Sequence, residues 1–142
     1  MNTVAQLLAR KSLFLVTIDP KAPVINALES MAEKNIGALV VMEGNRYMGI
    51  ITERDYSRKV VLKGKNSTTT PVEEIMTTQL PRLAPSDSTE HCMELMSDKH
   101  IRYMPVFENN ELVGLISMSD VVKGMISTQR DTIQQLQTYI SS

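Results

Sequence analysis

Thr52 and Asp55 stand three residues apart in Gly49-Ile50-Ile51-Thr52-Glu53-Arg54-Asp55. The arrangement returns 65 residues later (114 minus 49) as Gly114-Leu115-Ile116-Ser117-Met118-Ser119-Asp120. A hydroxyl followed at the third position by an acid is a helix-capping box. The hydroxyl accepts a backbone N–H, and the acid reaches back or favours the positive end of the helix dipole. The same atoms suit a ligand. A helix N-terminus offers unpaired N–H groups to a phosphate, and the hydroxyl adds a donor. A carboxylate accepts short, directional bonds from both hydroxyls of a ribose. Because aspartate repels phosphate, Asp55 and Asp120 would face the sugar, while Thr52, Ser117 and nearby cations face the phosphate. The cap and ligand readings are compatible.

The chain must position these residues twice, and it does so by repetition. At the 65-residue shift Pro20 falls on Pro85, Met31 on Met96, Ile36 on Ile101 and Val41 on Val106, without a gap. Val24, Ala27, Leu28, Met31 and Ala32 follow helical spacing, with Pro23 at the first helical position. Thr89, Cys92, Met93 and Met96 repeat that stripe behind Asp87, a candidate N-cap. Two apolar runs follow each helix, around Glu43-Gly44-Asn45-Arg46 and Glu108-Asn109-Asn110-Glu111, and read as hairpins. A second helix then starts at Thr52 or Ser117. Its apolar side is Tyr56, Val60 and Val61 in one copy and Val121, Val122, Met125 and Ile126 in the other. The rhythm through Ile133, Leu136 and Ile140 extends the last helix, although Gly124 weakens its continuity.

Each copy therefore reads β-α-β-β-α, with a leading strand near Leu15–Ile18 or Arg82–Leu83. The fold class is α+β, two such repeats packed as one pseudo-two-fold module, since about 60 residues alone make a marginal core. The expected divisions are residues 10–63 and 75–127 for the repeats, 64–74 for a polar linker and 128–142 for a C-terminal helical extension. Strand ends around Ile36, Gly37 and Ala38, and around Arg102, Tyr103, Met104 and Pro105, would form slots for a flat base in clefts at the shared seam.

Composition excludes several classes. With 15 basic against 16 acidic side chains the net charge is −1, which argues against nucleic acid as the main partner. No apolar run reaches the roughly 20 residues of a membrane helix. The single cysteine, Cys92, permits no internal disulfide and suits a reducing compartment such as the cytoplasm. Residues Met1–Arg10 read as a short helix packing Val4, Leu7 and Leu8, the alternative being a targeting peptide. His91-Cys92 reads as a surface histidine beside a buried cysteine, since a structural metal needs about four converging ligands. His100 either approaches a ligand or serves the helix C-terminus. Neither a catalytic triad nor a phosphate-binding loop stands out, so no enzyme activity is expected.

The two complete signatures, the hairpin Arg102-Tyr103-Met104-Pro105-Val106 and the stretch Glu74-Ile75-Met76-Thr77 resemble a tandem pair of CBS domains, the cystathionine-β-synthase repeat or Bateman module. The resemblance spans roughly residues 10–127. It implies a regulatory module for AMP, ADP, ATP, S-adenosylmethionine or NAD(H), self-associating as a homodimer and serving a partner enzyme or transporter. Asp55 and Asp120 would hold ribose hydroxyls, and Thr52 and Ser117 phosphate or ribose. The copies differ: Arg54 becomes Ser119, Gly37 becomes Arg102 and Thr17 becomes Arg82. Phosphate charge would then be met by Arg54 in one place and Arg102 in another, giving unequal affinities. The alternative is a ligand-free interaction scaffold in which both signatures act only as caps.

Overall fold

Proline and hydrogen-bond supply decide where the elements start and stop. In the computed structural model, residues 2–11 and 15–141 are described, and of Ser141 only the backbone. The chain divides into two compact units, one running from residue 14 to 80, the other combining residues 1–13 with 81–142.

In the first unit, β1 (Thr17–Ile18) lies parallel to β2 (Ala38–Glu43), which pairs antiparallel with β3 (Arg46–Thr52) from Ala38↔Thr52 to Glu43↔Arg46. Gly44 turns the hairpin at φ +59°, where glycine carries no steric cost. Helix α2 (Val24–Lys34) lays Val24, Ala27 and Met31 onto Leu39, Val41 and Ile51, while Ala32 is exposed. Pro23 is the N-cap rather than the first helical residue, and proline has no side-chain acceptor to offer. The polar stretch 64–71 supplies one instead. Val24 N donates to Thr70 O and Ile25 N to Ser67 O, both at 2.9 Å. Those residues therefore satisfy donors that a helix start leaves orphaned.

After β3 comes α3 (Glu53–Tyr56), one turn that widens into a π-helical turn over Ser57–Val61. Val60 is buried, but Val61 is exposed, which corrects the expected apolar side. Short α4 (Val72–Ile75) packs Val72 and Ile75 into the same core. Thr77 pairs with Ile50 across a single bridge.

In the second unit, α5 (Thr89–Lys99) packs Thr89, Cys92 and Met96 inward. Its N-cap is Ser88, whose hydroxyl accepts from His91 N at 3.0 Å; Asp87 instead accepts from Ala84 N at 2.7 Å, stabilising the preceding turn. His100 occupies the left-handed C-cap at φ 54°, its N–H donating to Met96 O, as Asn35 does for α2 at φ 53°. Strands β4 (Tyr103–Glu108) and β5 (Glu111–Ser117) form a hairpin turned by Asn109 and Asn110, both at positive φ.

The leading strand expected at Arg82–Leu83 is reduced to one parallel bridge, Leu83↔Val106. Pro105 explains this. Its counterpart Val40 donates its N–H to Val16 O at 3.1 Å, tying β1 down. Proline has no N–H to make that bond. Helix α6 (Met118–Ser141) runs for 24 residues; Val121 is buried, but Val122, Met125 and Ile126 are exposed, against expectation.

Helix α1 (Val4–Arg10), capped by a Thr3–Gln6 box, docks on this second unit. Val4 N donates to Asp87 O, Ala5 N to Pro85 O, and Thr89 N to Asn2 O. These bonds repeat those of α4, where Val72 N donates to Ala22 O, Glu73 N to Pro20 O, and Val24 N to Thr70 O. Each unit thus carries the same strap, taken from residues 2–10 in one and 70–77 in the other.

Candidate functional site

Thr52 ends β3 in extended geometry and caps α3, so one residue fixes both the strand end and the helix start. Its hydroxyl accepts from Asp55 N at 3.1 Å. Asp55 Oδ2 in return accepts from Thr52 N at 2.9 Å and from Thr52 Oγ1 at 3.0 Å. Asp55 Oδ1 accepts from Thr77 Oγ1 at 3.0 Å and pairs with Lys59 Nζ at 2.9 Å. Lys59 also donates to Ile75 O at 2.9 Å. A carboxylate with 7% of its side chain exposed is thus surrounded by donors, as a buried charge must be.

The second unit builds the same box with different support. Ser117 Oγ accepts from Asp120 N at 3.1 Å, and Asp120 Oδ2 accepts from Ser117 N at 2.8 Å. The cation is Lys11, which follows α1. Its Nζ lies 2.8 Å from Asp120 Oδ2 and donates to Leu115 O at 2.6 Å. Position 124, the counterpart of Lys59, is glycine. In both units a lysine ammonium bridges the aspartate and a main-chain carbonyl. Asp120 keeps 15% of its side chain exposed, about twice the figure for Asp55.

The two glycines of the signatures have tight surroundings. A Cβ on Gly49 would sit 2.7 Å from Thr77 O; one on Gly114 would sit 2.5 Å from Leu8 Cδ2. Each glycine lets its strap approach the strand that carries the capping residue.

Among the other candidates, Gly37 O accepts from Glu53 N and Arg102 O from Met118 N, placing both beside a helix start. Ala38 pairs with Thr52 and Tyr103 with Ser117. Ile36 and Tyr103 are half-buried. Ala38, Met104 and Pro105 are buried, so their side chains serve the interior. Thr17 is exposed on β1, and Arg54, Arg102 and Ser119 are exposed near the capping boxes. Arg82, the counterpart of Thr17, stacks its guanidinium 4.0 Å from the centre of the Phe107 ring.

Sequence reasoning missed Lys59, Thr77 and Lys11. The spacing of Lys59 four residues after Asp55 is a readable ion-pair signal. Thr77 and Lys11 are brought in by the straps and carry no local signal. Burial, with Asp87 nearby, pushes the Cys92 thiol up to about 11. Among the described residues no cluster of His, Cys, Asp and Glu is placed to hold a metal, and no helix is long and apolar enough to cross a membrane.

A family model described as the CBS domain matches residues 5–61 and again 72–127. A CBS domain-containing protein of Arabidopsis thaliana, named CBSX3 and mitochondrial, is 39% identical over 122 residues, covering 82% of this chain but only 59% of that protein. YhcV of Bacillus subtilis is 30% identical over 115 residues, covering 81% of each. A solved CBS-domain structure from Burkholderia ambifaria superposes with a TM-score of 0.86 at 46% identity, covering 89% of this chain and 96% of that one.

Proposed function

This chain belongs to the CBS-domain family, and from that premise we propose that it is a regulatory module binding adenosine-containing ligands through Thr52 with Asp55 and Ser117 with Asp120. The duplicated pairing of hydroxyl, carboxylate and bridging lysine carries the reading. A carboxylate at a helix start accepts from two ribose hydroxyls, the helix N–H groups favour phosphate, and the lysine limits the repulsion between the two anions. AMP, ADP, ATP, S-adenosylmethionine and NAD(H) share the required adenosine. Ile36 and Gly37, or Tyr103, would take the base. Arg54 and Arg102 are the cations for phosphate.

The two sites differ in what a ribose must displace. Asp55 already accepts bonds on both oxygens, from Thr52, Thr77 and Lys59. Among the described residues Asp120 takes Ser117 N and Lys11 on Oδ2, and a sugar hydroxyl would bond Oδ1. The Asp120 site is therefore the tighter one.

The module has no catalytic activity of its own. It acts in a reducing compartment, the cytoplasm, and its bound nucleotide shifts the arrangement seen by a partner enzyme or transporter. That shift requires a difference in ligand affinity between arrangements. It self-associates as a homodimer. Calorimetry with AMP, ATP, S-adenosylmethionine and NADH tests the reading. One ligand should bind with two unequal affinities, and Asp120→Ala should weaken the tighter tenfold or more. Two identical independent sites refute the inequality, and absence of heat with all four refutes the ligand reading.

A further inference from the structure

Helix α6 turns Val121, Gly124 and Thr128 toward its own unit, Val121 and Gly124 being buried and Thr128 half-buried. The opposite face is apolar and exposed: Val122 is 46% accessible, Ile126 44%, Ile133 55%, Leu136 56% and Ile140 81%. With exposed Gln129 these residues recur at alternating spacings of four and three, the about 3.5-residue period of a coiled-coil seam. Ile126, Ile133 and Ile140 fall at the a positions; Val122, Gln129 and Leu136 fall at d.

We infer that this face is the seam of a parallel, in-register two-stranded coiled coil with the α6 of a second copy. The inference rests on the homodimer reading above and names the segment and orientation that produce it. Isoleucine at a with leucine at d, as at Ile133 and Leu136, favours two strands. Gln129 decides the orientation. In a parallel pair it meets the partner's Gln129, and each amide offers both a donor and an acceptor. In an antiparallel pair centred on the same seam it faces isoleucine, which leaves the amide unmatched. The flanking positions agree. Between parallel copies Met125 meets the partner's Arg130, and Thr132 meets the partner's Gln137, so no like charges oppose one another. A long helix end exposed on all sides is marginal in water, and burying its apolar seam supplies the missing support.

Sedimentation equilibrium of the full chain tests the seam, with Ile133→Asp plus Leu136→Asp as the variant. Both positions are exposed, so the fold should persist by circular dichroism. The wild type should be a dimer, and the variant should dimerise at least tenfold more weakly. Gln129→Cys should oxidise to a covalent dimer, because the partner's residue 129 lies opposite. Asp131→Cys, on the far face, should not. Native Cys92 is buried and contributes no cross-link. A monomeric wild type, a dimer indifferent to the two aspartates, or equal cross-linking at 129 and 131 overturns the inference. Ligand-induced melting shifts, measured on the same proteins, report separately on nucleotide binding.

Discussion

Replacing Asp55 and Asp120 by alanine should affect stability and binding in opposite orders. Asp55→Ala deletes the acceptor of Thr52 N, Thr52 Oγ1, Thr77 Oγ1 and Lys59 Nζ. Losing the reciprocal half of a capping box costs about 1 kcal/mol. The hydroxyl bond from Thr77 to a buried charge adds about 1.5–2 kcal/mol. Lys59 is 43% exposed, so solvent screens its pairing, which adds only a few tenths of a kcal/mol. The total is about 3 kcal/mol, or roughly 6–12 °C in melting temperature for a protein of this size. Asp120→Ala loses one capping bond and a half-screened pair with Lys11, about 1.5 kcal/mol in all. Binding should run the other way, with Asp120→Ala costing tenfold or more in affinity and Asp55→Ala less. Urea unfolding and calorimetry on the same two proteins measure both orders. If Asp55→Ala is less destabilising than Asp120→Ala, the account of its four-donor environment is wrong.

Gly49→Ala should destabilise by about 1–3 kcal/mol, because its Cβ meets the Thr77 carbonyl; Gly114→Ala meets only the flexible end of Leu8 and should cost less, by chemical denaturation. Asn35→Gly and His100→Gly should each stabilise by up to about 1 kcal/mol, since both residues hold left-handed helix caps; thermal melts check this. Cys92 should react slowly with thiol reagents in the native protein. Its folded pKa of about 11 lies above the ordinary 9.0, so the unfolded chain gives up this proton first as pH rises. Its contribution is fully present below about 9 and is lost as pH climbs toward 11, a loss that Cys92→Ala should remove from the alkaline stability profile.

The sequence by itself determined the duplication, both hairpins, both capping boxes and the apolar stripes of α2 and α5. These depend on local rules: side-chain period, glycine and asparagine at positive φ, and a hydroxyl three residues before an acid. Tertiary structure decided the rest. Only packing shows that residues 2–10 and 70–77 are equivalent straps, because the Val4 and Ala5 N–H groups reach Asp87 O and Pro85 O, about 80 residues away, through bonds that no periodicity encodes. The missing strand at Arg82–Leu83 turns on one absent N–H at Pro105, which matters only once the neighbouring chain lies beside it. Likewise, Lys59 and Lys11 supply the same charge, one from four residues after its aspartate and the other from 109 residues before. An aspartate's need for a cation is local in chemistry, whereas the residue that meets it is chosen by the fold.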